Sequence, residues 1–472
     1  MLVLAVTFSR ASARLGVPLA LGFLLIGVLA GSEGIGGIPF ANYQITYQIG
    51  IAALVLILFD GGLNISIDAA RSVLAPATLL ATVGVGLTAL ATAAAAHLFG
   101  LDWPVALLLG AIVSSTDAAA VFSTLSASGT RLRRSVGHLL ELESGLNDPM
   151  AVILTTALTA NLVRPGSATA WMIGRDIVVE LTVGAIAGYV IGRLARWRMS
   201  KLRLPAAGLY PAYSIGVACL AYGAPALIHG SGFLSVYVAA VILARGSPPS
   251  VAAVRRVHDA LAWVSQIVMF LILGMLLIPS RLSAVAAVGL AVALVLVFIA
   301  RPAVVALCLA PLRHPPREIL YVGWVGLRGA VPIVLATIPV MSGAPGAHEL
   351  FDGVFFIVVV GAFLPGATVP WVTRRLGLQA GAAEARASWI ARGSGGPTEV
   401  RRFVIEPELA VVGATVESLP LPRGAAVILI EREGNQLAVS GTTVLEAGDL
   451  AYVLHARDDE PAIELLFGGP LA

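Results

Sequence analysis

Long apolar runs, not a period of 2 or 3.6, dominate this 472-residue chain. A helix that crosses a bilayer needs about 20 mostly apolar residues. Twelve stretches approach that: 17–30, 45–61, 73–98, 104–125, 139–162, 171–194, 209–227, 232–244, 261–278, 285–308, 319–341 and 351–372. Charged residues make up 12% of the chain and hydrophobic ones 58%, with a mean hydropathy of +0.91. Soluble domains carry about 25% charged residues, so a compact soluble domain, a disordered chain and a secreted disulfide scaffold are excluded. The chain reads as a polytopic α-helical membrane protein. Its two cysteines, Cys219 and Cys308, lie inside apolar stretches and read as small hydrophobes. An apolar stub over 1–8 is too short to span and has no basic n-region or cleavage site. It reads as the start of a thirteenth helix, or as the product of a start codon placed too late.

Orientation follows from the Lys/Arg bias of the loops. Alternate loops hold Arg10 and Arg14, Arg71, Arg131 to Arg134, Arg196 to Arg203, Arg255 and Arg256, Arg313 and Arg317, and Arg374 and Arg375. The intervening loops hold Glu33, Asp102, Glu349 and Asp352, with few bases beyond Arg164 and Arg281. The basic set is therefore cytoplasmic in a cell membrane, and the tail after the last span is inside. The net charge of +3 is no sign of nucleic-acid binding, because the bases sit in these short loops. Residues 1–376 form the membrane domain, 377–398 a Gly/Ala/Ser linker and 399–472 a small soluble α+β module. In that module 402–405, 425–431, 437–439 and 450–455 read as strands, and 433–435 as a hairpin turn. Asp459 reads as the cap of a short helix with Pro461 in its first turn.

Ionisable residues within membrane spans are costly and mark function by default. Four clusters qualify: Asp60 in Leu58–Leu63; Ser114-Ser115-Thr116-Asp117; Glu141, Glu143, Ser144, Asn147 and Asp148; and Arg328 within Gly326–Pro332. Ser144 and Asp148, four apart, share one helical face, and Glu143 and Asn147 share the next. Such a face offers a hydroxyl and a carboxylate to a hard monovalent cation. A carboxylate in a dehydrated cavity can hold a proton once the cation leaves. One group that binds either ion but not both is the minimum for an antiporter. Ser-Ser-Thr-Asp competes with helix through local side-chain bonds, and Gly326, Gly329 and Pro332 weaken the helix around Arg328. Broken helices at matching positions of two inverted halves characterise many transporters. Bland readings stand beside these: Asp60 at a helix end, Asp117 as the cap of a break, Glu141 as an inert interfacial side chain, and Glu143 with Arg328 as a buried ion pair.

At these residues the sequence resembles the bacterial sodium/hydrogen exchanger family of cation:proton antiporters. Glu143-Ser144-Gly145-Leu146-Asn147-Asp148, Thr116-Asp117, Phe59-Asp60-Gly61-Gly62-Leu63 and Gly326-Leu327-Arg328-Gly329-Ala330 are similar to four of its motifs, in order. The resemblance implies thirteen helices with inverted repeats, two broken helices that cross at the ion site, and a homodimer. It implies that Asp148 is the carboxylate shared by proton and cation, with Ser144, Asp117, Asp60 and the Thr116 carbonyl as supporting ligands. Asn147 would orient the first break, and Glu143 with Arg328 would be the structural pair. The sequence departs from the family at Ala118, where Pro often follows Thr-Asp, and Pro149 removes a helical donor after Asp148.

The tail resembles the TrkA-C module of regulators of K⁺ conductance, through Pro422-Arg423-Gly424 and Thr443–Asp449. That pairing looks like the potassium/proton antiporter branch. The expected function is therefore exchange of cytoplasmic K⁺, or alternatively Na⁺, for external H⁺, without a cofactor. The tail is expected to take a nucleotide or cyclic dinucleotide, or to act as a dimer clamp without one. A ligand-gated K⁺ channel is the rival class, but twelve or thirteen helices with buried carboxylates fit a carrier better. The chain lacks HExxH, GxSxG and Walker A motifs, so an enzyme is not expected.

Overall fold

A computed structural model describes residues 4, 7, 18–380 and 398–468, except 66, 167–168, 203, 207, 246–248, 423, 433–434, 438 and 457–458. Most of the 1–8 stub, the linker and the 433–434 turn fall outside the described residues. The chain divides into two compact units, Met1–Gln379 and Ala380–Ala472.

The first unit is helical throughout. Its elements are α1 Leu19–Ala30, α2 Tyr43–Asn64, α3 Ile67–Leu79, α4 Val85–Leu98, α5 Trp103–Ile112, α6 Ala118–Ala127, α7 Arg134–Val163, α8 Ala170–Lys201, α9 Leu209–Ala226, α10 Gly232–Leu243, α11 Pro249–Leu276, α12 Pro279–Val295, α13 Arg301–Leu309, α14 Pro316–Trp324, α15 Val331–Met341, α16 Ala347–Phe363 and α17 Val369–Arg375. Among the described residues six helices are long and apolar enough to cross a membrane. Helix α7 is 30 residues long but carries the Glu/Ser/Asn/Asp cluster, and other crossings are shortened by breaks.

Two groups of helices emerge from the packing. Helices α1, α2, α8, α9, α10 and α11 pack on one another, and α3–α7 pack with α12–α17. The first group is drawn tight by small residues. A Cβ at Gly184, Gly188 or Gly192 of α8 would stand 2.5–2.7 Å from the carbonyl oxygens of Ser231, Ser235 and Ala239 along α10. Apolar contact alone drives little association in lipid, so this close backbone approach is what joins the helices.

The second group is built twice from one plan. In 67–163 and again in 279–375, a helix passes through a five-residue π turn (Leu80–Gly84; Leu296–Ala300) into a second helix. Two short helices separated by unwound chain follow (α5/α6; α14/α15), and then a last helical stretch (α7; α16 and α17). The breaks fall where Ser-Ser-Thr-Asp and the Gly326–Pro332 stretch forecast them. The two groups meet where α15 packs on α2 and α10 on α7.

The tail is a four-stranded antiparallel sheet in the order β1-β4-β2-β3 (β1 Thr398–Val404, β2 Ala426–Arg432, β3 Asn435–Leu437, β4 Leu450–Ala456) with helix α18 Glu460–Phe467. Alternation along β4 turns Ala451, Val453 and His455 inward. Phe403 and Phe467, 5.7 Å apart between ring centres, close that core. Asp459 stands at the N-cap of α18 but makes no capping bond through its side chain, contrary to the sequence expectation. Arg432 brackets the Thr443–Asp449 motif: Nε and Nη2 donate to Asp449 at 2.7 and 2.8 Å, Nη2 donates to the Val444 carbonyl at 2.9 Å, and Nη1 pairs with Glu446. The motif is a turn locked by charge.

Candidate functional site

The two breaks touch. The Asp117 N–H donates to the Leu327 carbonyl at 2.8 Å, joining the unwound chain after α5 to that after α14. Unwound backbone at membrane depth is tolerated only where its polar groups find partners, and each break finds them in the other. Arg328 Nη1 donates to the carbonyls of Ser114 (2.7 Å) and Ser115 (2.6 Å), which follow the C-terminal end of α5. Cations suit that end of a helix and anions the N-terminal end. Accordingly Asp117 caps α6, its carboxylate accepting from Ala120 N–H at 3.1 Å.

Helix α7 lies alongside and fixes the first break. Asn147 Nδ2 donates to Thr116 Oγ1 at 2.7 Å. Ser144 Oγ donates to the Thr116 carbonyl at 3.0 Å and accepts from Ala118 N–H at 3.3 Å. On the same face Asp148 is buried, 7% exposed, and its Oδ1 has no hydrogen-bond partner. Asp117 lies close enough for the two charges to act on each other. Gly329, in the second break, leaves the room this needs: a Cβ there would stand 2.0 Å from Asp117 Oδ2.

These groups line a cavity of about 510 Å³. Its wall includes Ser115, Thr116, Asp117, Ser144 and Asp148, and it reaches Asn64 and Ala127, the last residues of α2 and α6. Asp60 lines it too, but its electrostatic neighbours are Asp259 and Arg255, whereas that of Asp148 is Asp117. Asp60 lies about one turn before the end of α2, which continues through Gly61 and Gly62 to Asn64. Thus Asp148, Asp117, Ser144 and Thr116 converge, and Asp60 stands apart on the same wall.

One sequence expectation fails. Glu143 does not pair with Arg328; its Oε1 accepts from Arg301 Nη2 at 2.6 Å, with both side chains buried. Arg328 is instead engaged by the freed carbonyls of the first break. A guanidinium has several donors in a fixed fork, so Arg328 Nη1 can serve both freed carbonyls while Arg301 takes the Glu143 carboxylate. Arg301 was not among the clusters singled out above. Its signal was present, an arginine before Pro302 within the 285–308 run.

Paired unwound segments crossing at the centre of an inverted repeat, beside a buried unpaired carboxylate, define a secondary ion carrier. Comparison with known proteins makes this specific. Residues 1–375 match the family "Sodium/hydrogen exchanger, transmembrane", and residues 400–468 match the TrkA-C domain. The chain belongs to the sodium/hydrogen exchanger family. It is 40% identical over 465 residues to the K⁺/H⁺ antiporter NhaP of Alkalimonas amylolytica, covering 98% of this chain and 81% of that protein. It is 38% identical over 470 residues to the K⁺/H⁺ antiporter NhaP2 of Shewanella oneidensis, with the same coverage. Its fold is similar to that of the sodium proton antiporter MjNhaP1 from Methanocaldococcus jannaschii at pH 8, with TM-score 0.70 and 24% identity over 79% of this chain and 96% of that one.

Proposed function

We propose that this protein is a monovalent cation/proton antiporter, exchanging K⁺ in preference to Na⁺ for H⁺ through Asp148. The observation that carries the reading is the unpartnered Oδ1 of Asp148 beside Asp117, in a cavity where two breaks cross. Two carboxylates in a desolvated site cannot both stay charged and uncompensated. A cation or a proton must join them, and each displaces the other. Asp117, Ser144 and the Thr116 carbonyl are proposed as further oxygen ligands, with Asp60 reached from α2. Asn147 orients the first break, Arg328 neutralises its carbonyls, and Glu143 with Arg301 anchors α7 to α13.

The cavity reaches the end of the bundle that carries the basic loops, taken as cytoplasmic. At the opposite end the two helix groups are clasped: Glu33 accepts from Ser280 N–H (2.8 Å) and Ser280 Oγ (2.5 Å), and Tyr43 Oη meets His348 Nδ1 at 3.4 Å. Access from one side with a clasp on the other supports alternating access. K⁺ is favoured because the relatives above, matched over 98% of this chain, are K⁺/H⁺ antiporters and because a TrkA-C module follows the carrier. The Asn147-Asp148 pair on α7 offers one titrating carboxylate, so we propose that exchange is one-for-one and electroneutral. The exposed apolar face of α8, including Trp171, Val178, Ile186 and Leu194, supports a homodimer within the bilayer. The tail biases transport through a nucleotide or cyclic dinucleotide.

Acid-loaded everted vesicles containing a pH dye test this. K⁺ should dequench the dye more strongly than Na⁺ or Li⁺, without a transport current. A response to Na⁺ alone would place the chain with sodium carriers, and a current would refute the coupling ratio.

A further inference from the structure

The cavity holds oxygen ligands that the transport site does not use. Glu141 on α7 and Tyr237 on α10 both line it. Tyr237 is 3% exposed, and its hydroxyl has no hydrogen-bond partner. Leaving a buried hydroxyl unsatisfied costs about 1–3 kcal/mol, so its retention in the wall of a polar cavity calls for a ligand. The ring is held hard in place. A Cβ at Gly145 would stand 2.5 Å from its Cε2 and 2.8 Å from Cζ, the carbon bearing the hydroxyl; one at Gly61 would lie 3.9 Å from Cε2. Gly145 is one turn from Glu141 and Gly61 adjoins Asp60, so the hydroxyl-bearing edge sits between two acid-bearing helices. Glu141 is near enough to act electrostatically on the Tyr237 hydroxyl. Asp259, exposed at the opening, adds negative charge near Asp60.

No base compensates this group closely. Arg255, which acts on Asp60, donates its Nε to the Leu63 carbonyl at 2.9 Å. Among the described residues no Lys, Arg or His lies within 4.0 Å of the Glu141, Asp60 or Asp259 carboxylates. Glu141 precedes Asp148 by seven residues, on the same helical face and about 10 Å toward the opening. A cation entering from the basic-loop end meets Glu141 before Asp148.

Resting on the antiport reading above, we propose that Glu141 and Tyr237 form a second, shallower monovalent-cation site, where the ion exchanges part of its water for a carboxylate and a phenol oxygen before it reaches Asp148. Occupancy there raises the local cation concentration at the transport site. It therefore lowers the half-saturating K⁺ concentration without entering the exchange step itself.

The test is the K⁺ dependence of proton exchange in everted vesicles, at matched amounts of inserted protein. Glu141→Gln and Tyr237→Phe should each raise half-saturating K⁺ about 3- to 10-fold, the loss of one oxygen ligand, with maximal rates within about twofold of wild type. Glu141→Asp should recover most of the affinity, which a merely structural role would not predict. Unchanged half-saturation in Tyr237→Phe, which removes a single atom and keeps the packing, would overturn the proposal. So would a loss of maximal rate with unchanged half-saturation. Asp148→Asn, measured alongside, separates the two claims: exchange that persists there overturns the antiport site, whatever Glu141 does.

Discussion

The two breaks share an architecture but not a chemistry. In the first, Asp117 caps the N-terminal end of α6, and the carbonyls of Ser114, Ser115 and Thr116 face Arg328 and Ser144. In the second, α15 begins at Val331 with no side-chain cap, and the adjoining residues are Gly329 and Ala330. The first break thus holds the candidate ligands Thr116 and Asp117 beside Ser144 and Asp148 of α7, while the second lends a fixed positive charge and the space for Asp117. An inverted repeat therefore supplies a symmetric frame whose centre is chemically one-sided. That suits a site that must bind a cation from either face through the same carboxylates.

This division can be broken by removing the charges that hold it. Arg301→Ala should be the most damaging change, because it removes the ion-pair partner of buried Glu143, at about 3–5 kcal/mol. It should appear as a marked drop in the melting temperature of detergent-solubilised protein. Pairing it with Glu143→Gln should restore much of the loss, whereas pairing Arg328→Ala with Glu143→Gln should not. Recovery by the Arg328 combination would restore the pairing that the structure replaces.

Gly329→Ala probes the one-sidedness directly. Its methyl group displaces the Asp117 carboxylate rather than any packing side chain. Exchange should fall about tenfold or more, in line with the misplacement of a reacting group by an ångström, with a smaller change in melting temperature. The equivalent test on the first break, Asn147→Ala, removes one bond to the Thr116 hydroxyl and should cost about 1 kcal/mol with a partial loss of rate.

Much of this was legible in the sequence. Hydropathy marked the chain as a bundle of apolar helices, and the polar run 114–117 and the glycines around Arg328 located both breaks, because such residues offer backbone groups an alternative to helix. The spacing along α7 placed Ser144 and Asp148 on one face, and the family resemblance, not the spacing, pointed Ser144 and Asn147 at the break around Thr116. The partner of Glu143 was not legible, because choosing between Arg301 and Arg328 depends on how α13 and α14 sit against α7, which no local pattern encodes. The orphaned carbonyls that engage Arg328 exist only once the breaks have formed. Tyr237 was invisible for a related reason: a tyrosine in an apolar helix reads as packing until its hydroxyl proves to have no partner. In the tail β1, β2 and β4 could be read, but β3 runs from Asn435 to Leu437, inside the stretch read partly as turn. The strand order could not be read, since β1 joins β4 across most of the module.

The smallest expected effects lie in that tail. Burial pushes the Asp449 carboxyl up, but hydrogen bonds from Arg432 and the Glu446 N–H, with the guanidinium charge, outweigh it and hold the group below the ordinary carboxylate range. A carboxyl lowered in the folded state contributes stability that is present above its unfolded value, about 3.9, and is lost as pH falls through the folded one. Tail resistance to protease should therefore be constant at neutral pH and fall below about pH 4. Arg432→Ala should lower that resistance at neutral pH and flatten its acid dependence, with the carrier still active.

The central claim is that one carboxylate serves both ions. Its most direct test is K⁺-driven dequenching of a pH dye in acid-loaded everted vesicles carrying Asp148→Asn, with membrane insertion and melting temperature measured beside wild type. The account predicts a folded, inserted protein that exchanges no protons for K⁺. Exchange at a comparable rate in that variant would contradict it.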